Sequence, residues 1–322
     1  MNAYWLRLAI FAVAATLLSP GPSRSGAPNW PDQLTIGTAS PGGTYHVYGE
    51  GLAKILTRTL DLPVVRLATE GPVQNIELLE AGEAKLGFVT IGIALQAWNG
   101  AGVWAGKKPA RSMRAMFPMY DTPFQFLVLQ ESGIRSIAEI AGKRVGVGPR
   151  GGTSAAYFPE FFKTLNVPAN VVFGDWAELA AQVHKRELDV LAVGAGAPFP
   201  SFIELEASDN VRYVAFSPEQ IDALRLAMPE LSLSRIPGGA YPSLLRHYQT
   251  LGLYNFAVAH AELPDDLVYN VVRAVFENHE EMVEAHAAAA ATVPGNYRTS
   301  FLPLHPGAIR YYRQIGKAGQ TD

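Results

Sequence analysis

Short apolar runs alternate with segments of helical period along most of the chain, and the order repeats: strand, then helix. "LTIGT" (Leu34 to Thr38) reads as a strand and His46 to Leu60 as a helix. "PVVRLAT" is a strand, Val73 to Ala81 a helix, and "KLGFVT" a strand again. "RAMFPMY" and "FQFLVLQ" follow as two further strands, the second bounded by Pro123 and by Ser132-Gly133. A second series starts at "IAEIAGKRVGVG", a short helix, a turn and a strand, with a helix over Thr153 to Leu165. "NVVF", "LDVLAVG" and "VRYVAF" are strands, and a helix over Trp176 to Lys185 separates the first two. A helix starts at Pro218, "LYNFAVA" is a last strand, and the tail reads as a long helix from Pro264 to about Ala291 and another from Pro306 to Gly316. The pattern predicts α/β architecture in two similar lobes rather than one continuous sheet.

The junctions between strands and helices carry the chemistry. "ASPGGTYHVYGEGLAKIL" puts Ser40, Gly42, Gly43 and Thr44 where a helix begins. Glycine admits close approach of a ligand, and the first helical turn leaves N–H groups unpaired at the positive end of the helix dipole. One such loop caps a helix as readily as it binds an anion. The device recurs, however, at "TEGPVQN" (Thr69 to Asn75), at "PRGGTS" (Pro149 to Ser154) and at "GAGAPFP" (Gly194 to Pro200). Four junctions at strand ends predict a converging site for an anion or carboxylate, with Gly151, Gly152, Thr153, Gly194, Ala195 and Gly196 on the second series. Arg150, a cation inside a glycine loop, is the candidate partner for a ligand carboxylate.

Composition narrows the class. The chain has 322 residues, 48% of them hydrophobic and 17% charged, with Lys+Arg 26 against Asp+Glu 29 and a net charge of −3. That suits a globular core of one large or two medium domains, and no basic tract points to nucleic acid. There is no cysteine, hence no disulfide, thiolate metal site or lipidated cysteine. Arg7 followed by the uncharged run "LAIFAVAATLL" has the form of a secretory signal, with a small-x-small site at Ser25-Gly26-Ala27. Residues 1–27 are therefore expected to be removed, leaving an exported, periplasmic protein not inserted in the membrane.

Rival motifs are weaker. Gly146 to Gly151 matches G-x-G-x-x-G after a strand, with Asp175 placed for a ribose, but a nicotinamide cofactor sits badly with export. No Gly-Lys-Ser/Thr closes a P-loop and no G-x-S-x-G occurs, so neither a cofactor nor catalysis is indicated. His279 and His286 stand seven apart without metal spacing and read as a solvated helical face; no metal site is expected. His305 is read as capping or packing the last helix, and Tyr311 and Tyr312 as core.

"LTIGTASPGGTYHVYGEGLAKIL", "VRLATEGPVQNIELLEAGEAKLGFV", "IAEIAGKRVGVGPRGGT", "LPDDLVYNVVRAVFENH" and "LPLHPGAIRYY" together resemble the TAXI family of extracytoplasmic solute receptors, which serve tripartite ATP-independent periplasmic (TRAP) transporters. The resemblance runs from Leu34 to about Gly316. It implies a two-lobed type II periplasmic-binding-protein fold with two hinge-crossing strands, near Tyr120 to Leu129 and Leu253 to Ala259. Lobe 1 would comprise 28–122 and 255–322, and lobe 2 would comprise 123–254. It also implies a small organic anion, a carboxylate, as ligand and a TRAP-type permease as partner. Ser40, Gly42, Gly43, Thr44 and Tyr45 match the family's first ligand loop, and Asn75 its helix-start Asn. Gly71-Pro72 stands where the family commonly has Gly-Ser, Thr90-Ile91-Gly92 where it has Gln-Ser-Asp, and Gly151-Gly152-Thr153 where it has Gly-Ser-Gly-Thr. The same scaffold would also suit a receptor that presents its ligand to a membrane sensor, or a periplasmic enzyme.

Overall fold

The computed structural model describes residues 29–316; the expected signal segment lies outside them. In chain order the elements are β1 (Leu34–Gly37), α1 (Thr44–Leu60), β2 (Val64–Leu67), α2 (Pro72–Glu80), β3 (Leu86–Thr90), α3 (Ile91–Asn99) and the long β4 (Met113–Leu129). There follow β5 (Arg144–Gly146), α4 (Thr153–Thr164), β6 (Asn170–Val172), α5 (Trp176–His184), β7 (Val190–Gly194), α6 (Pro200–Ser208), β8 (Val211–Tyr213) and α7 (Pro218–Ala227). The chain then forms β9 (Ser232–Ile236), β10 (Tyr248–His260), α8 (Asp265–Glu277), α9 (His279–Ala285) and α10 (Pro306–Gln314).

Two parallel strand sets lie side by side, β2-β1-β3 and β7-β5-β6, joined through the antiparallel pair β10 and β4. β4 pairs with β10 from Met113 to Pro123, then leaves it for β7 at Phe124 and for β8 at Leu127. β10 does the converse: Tyr248 to Gly252 pair with β9, and Asn255 to Ala259 with β3. Both strands thus serve one lobe with one half and the other lobe with the other half. This is a two-lobed α/β fold with two crossing strands, as the sequence led one to expect.

Several elements differ from the periodic reading. The two strands expected either side of Pro123 are one, because proline's fixed φ fits an extended chain and its missing N–H falls where β4 changes partner. The long tail helix is broken at Asn278, whose φ of −116° leaves the helical range and whose Nδ2 turns back to the Ala274 carbonyl at 2.8 Å. α3 and β9 have no counterpart in the periodic reading. A Cβ on Gly92 at the start of α3 would overlap the Tyr157 hydroxyl, so the two lobes touch there through a glycine.

Apolar faces of both sheets are buried under helices. Around the second half of β4, Phe124, Phe126, Phe158, Phe161 and Phe216 pack mostly edge to face, with ring centroids 4.7 to 5.8 Å apart. Tyr312 is fully buried and stacks on Tyr297, and Tyr311, also buried, lies beside it in the same core. His305 is fully buried and caps α10, its Nδ1 accepting from Gly307 N at 3.2 Å.

Candidate functional site

The first loop of lobe 1 turns at Gly42, where φ is +81°, and closes with Gly43 N donating to the Ser40 carbonyl at 3.1 Å. Glycine stands at the N-cap of α1 (Gly43), of α2 (Gly71) and of α4 (Gly152), so no side chain takes up their first-turn N–H groups. α5 begins after Asp175, which makes no capping bond, and α6 after Phe199. The N-terminal ends of these five helices, two from lobe 1 and three from lobe 2, line one cavity between the lobes.

The lobes are closed on it. Thr44 Oγ1 donates to the Gly196 carbonyl at 3.1 Å, Val73 N to the Gly151 carbonyl at 3.1 Å, and Thr90 Oγ1 shares a hydrogen bond of 3.2 Å with Thr153 Oγ1. Gly151 N donates to Glu70 Oε2 at 2.9 Å. Two glycines make this approach possible: a Cβ on Gly196 would lie 2.8 Å from the Tyr120 ring, and one on Gly71 would lie 2.9 Å from the Gly151 carbonyl.

The enclosed space is small, about 50 Å³ to the centre of a water-sized sphere. At roughly 10–15 Å³ of such space per water, it holds a ligand the size of a few water molecules. Two of its lining hydroxyls, Ser40 Oγ and Tyr120 Oη, are buried without a hydrogen-bond partner. Burial raises the Tyr45 and Tyr120 phenols well above their ordinary range, so both are neutral hydrogen-bonding groups. Trp176 and Phe199 form an edge-to-face wall, centroids 5.0 Å apart. Among the described residues lining the cavity none is Lys, Arg or His, and the acidic one is Glu70.

Of the residues expected from sequence, Ser40, Gly43, Thr44 and Tyr45 line the cavity from lobe 1. Gly152, Thr153, Gly194, Ala195 and Gly196 line it from lobe 2. Others are near but turned to different work. Gly42 shapes the turn, and Gly151 and Thr90 make the bridging contacts above. Thr69 and Asn75 bond to each other at 2.8 Å, and Asn75 Nδ2 donates to the carbonyls of Thr38 and Phe88 at 2.8 and 2.9 Å. Asn75 is thereby satisfied inside lobe 1 and does not reach the cavity. Arg150 is exposed and lies over the Phe173 ring at 4.1 Å, outside the lining. The glycines of the apparent dinucleotide fingerprint serve packing instead. A Cβ on Gly146 would meet Leu188 at 2.6 Å, and one on Gly148 would overlap the Trp176 ring.

Glu70, Ser154 and Phe199 lie in the expected junction stretches without having been singled out, and Tyr120, Thr122 and Trp176 line the cavity from outside them. Trp176 opens a helix after a strand and the pair Gly174-Asp175, the same signal as the other junctions. Tyr120 lies within a strand and has no local signal. His286 is a correction: it is buried, its ring stacks on Tyr120 at 6.5 Å, and its Nδ1 accepts from Ala288 N at 3.1 Å. Burial pulls its pKa below the ordinary value, so it is neutral near pH 7. His279 likewise bonds to the Ala289 carbonyl at 2.8 Å; the break in the helix folds both rings inward. Among the described residues no cluster could hold a metal, and no helix is long and apolar enough to cross a membrane.

The sequence profile of the NMT1-like family matches residues 36–316. The chain belongs to that family. PhnD1 from Prochlorococcus marinus (MIT 9301), solved in complex with methylphosphonate, is 12% identical over 89% of this chain and 99% of its own, with a TM-score of 0.55. A structure described as a periplasmic transporter is 15% identical over 89% of this chain and 93% of its own, with a TM-score of 0.52. At these identities the likeness is one of fold. Membership of the NMT1-like family supports a substrate-binding receptor.

Proposed function

We propose that this NMT1-like protein is an exported solute receptor that captures a small organic anion between its lobes and delivers it to a membrane permease. The observation that carries the reading is the convergence of uncapped helix N-termini and two partnerless hydroxyls, Ser40 Oγ and Tyr120 Oη, on one closed cavity. Micromolar capture needs about 8 kcal/mol. Partly buried helix ends contribute up to ~2 kcal/mol each, and neutral hydrogen bonds ~0.5–1.5 kcal/mol each. The α1 and α4 ends and the two hydroxyls supply at most about 7 kcal/mol, the α2 end having spent Val73 N on the Gly151 carbonyl, and burying the ligand's apolar part against Trp176 and Phe199 supplies the remainder.

Binding rather than turnover is the reading because the partnerless Ser40 hydroxyl has no base beside it to activate it. The "SPGGTY" and "HPGAIRYY" motifs favour a TRAP-class permease and a carboxylate. The fold shared with a methylphosphonate complex extends the candidates to phosphonates, and sulfonates share their shape with one charge fewer. A thermal-shift screen of short carboxylates, sulfonates and phosphonates, followed by calorimetry, tests the capture. Uptake into vesicles carrying the permease, driven by an ion gradient without ATP, tests the transporter class. A protein whose melting is unmoved by every anion in the screen would overturn the reading.

A further inference from the structure

The charge a ligand brings must be met by what surrounds it, and here the surroundings are unusual for an anion site. The lining has neutral donors: first-turn N–H groups, the Ser40 and Tyr120 hydroxyls, both at least nine-tenths buried and partnerless, and the Thr153 hydroxyl. It has no lysine, arginine or histidine among the described residues; behind it, His286 stacks on Tyr120 and is held neutral by its burial, and the His46 Nδ1 lies 3.3 Å from the Ala39 carbonyl. Arg150 points away, on Phe173. The formal charge at the cavity is negative: Glu70, exposed at the mouth, with its carboxylate reaching across to Gly151 N at 2.9 Å.

We propose that Glu70 makes this receptor selective for singly charged oxyanions, such as a sulfonate or a carboxylate, over doubly charged ones. The proposal rests on the anion-capture reading above and deepens it. The free ends of α1 and α4, each worth about half an elementary charge, together present about the charge that one anionic group needs. A second negative charge has no cation to meet and faces the Glu70 carboxylate across a small, partly desolvated space, where repulsion is poorly screened. Glu70 also accepts the Gly151 N–H, so that donor is spent within the protein. It therefore completes the bridge between lobes in place of a second ligand charge.

The test is calorimetry with matched alkyl sulfonates and alkyl phosphonates, methyl to butyl, at a pH above the second ionisation of the phosphonates. The pairs have similar shape and differ by one charge. The full-length mature protein is expected to bind its preferred sulfonate about ten- to a hundredfold more tightly than the matching phosphonate, a gap of ~1.4–2.8 kcal/mol. Glu70→Gln keeps an oxygen that can accept from Gly151 N and removes the charge, so it should raise phosphonate affinity about tenfold and narrow the ratio. Glu70→Ala provides the second variant, and circular dichroism confirms that both fold. A dianion bound as tightly as the monoanion by the unaltered protein overturns the proposal. So does a Glu70→Gln protein that loses affinity for both classes equally, since Glu70 would then be a latch for closure and not a discriminator of charge. Binding of neither class by any of the three proteins counts against the anion reading itself.

Discussion

Tyr45 donates its hydroxyl to Asn255 Oδ1 at 2.6 Å, across 210 residues of sequence, and so ties the start of α1 to the crossing strand β10. Asn255 is fully buried and its Nδ2 donates to the Tyr120 carbonyl on the other crossing strand at 2.6 Å. It sits where the β10–β4 register shifts, between Tyr254 and Phe256. The irregularity frees the amide to bond sideways instead of within the ladder. The wall of the cavity and the hinge are thus one hydrogen-bonded unit.

Replacing Asn255 with Leu should therefore cost about 2–4 kcal/mol, because it strands the Tyr45 hydroxyl and the Tyr120 carbonyl without partners. Tyr45→Phe should cost less, about 0.5–1.5 kcal/mol, since Thr122 Oγ1 still donates to Asn255 Oδ1 at 3.0 Å. Urea unfolding measures both, and equal losses would contradict the proposed hub role of Asn255.

Closure should depend on glycine at position 71. Its φ of +135° disfavours any side chain, and an added Cβ would press on the Gly151 carbonyl of the opposite lobe. Gly71→Ala is expected to lower affinity for a captured anion at least tenfold and to abolish compaction on ligand addition, read by small-angle X-ray scattering. Retained compaction would show that the lobes close elsewhere.

Tyr120→Phe should separate stability from binding. The hydroxyl has no hydrogen-bond partner among the described residues, so removing it should leave stability unchanged or raise it by up to ~1 kcal/mol. Anion affinity should fall by ~0.5–1.5 kcal/mol, up to about tenfold, if that hydroxyl bonds the ligand. A variant that melts earlier and binds as before would reverse the assignment.

Asp121 gives the crossing strands a pH dependence. Burial raises its carboxyl from the ordinary 3.8 to about 6, against a hydrogen bond from the Ser234 hydroxyl, and its Oδ1 is partnerless. Between these values the folded chain holds a proton that the unfolded chain has released. The contribution to stability is accordingly full below about pH 4 and lost as pH rises through about 6, some ~3 kcal/mol in all. Asp121→Asn should remove that slope and be relatively more stable at pH 7. Unfolding free energies across pH 4 to 8 for both proteins check the sign.

Much of the α/β order was legible because it is periodic: apolar positions two or three to four residues apart decide which face is buried, whatever lies beyond. The ends of β3, β5 and β7 and the starts of α1, α2 and α4 fell within a residue or two of their periodic boundaries. Where the reading failed, a distant partner had decided. Pro123 did not end a strand because β7 and β8 were waiting for its continuation, and Asn278 broke a helix that alanine-rich sequence would have carried on.

By itself, then, the chain's pattern determined the two-series α/β plan and placed glycine at the junctions, since helix period, strand alternation and positive φ are properties of neighbouring residues. What each polar side chain does was decided only by the tertiary structure. Asn75 spends its amide on Thr38, 37 residues away, Glu70 finds Gly151 81 residues away, and Arg150 turns from its own glycine loop to the Phe173 ring. Each takes the partner that folding brings within reach, and for the buried Asn75 leaving the amide unpaired would cost more than any local preference supplies.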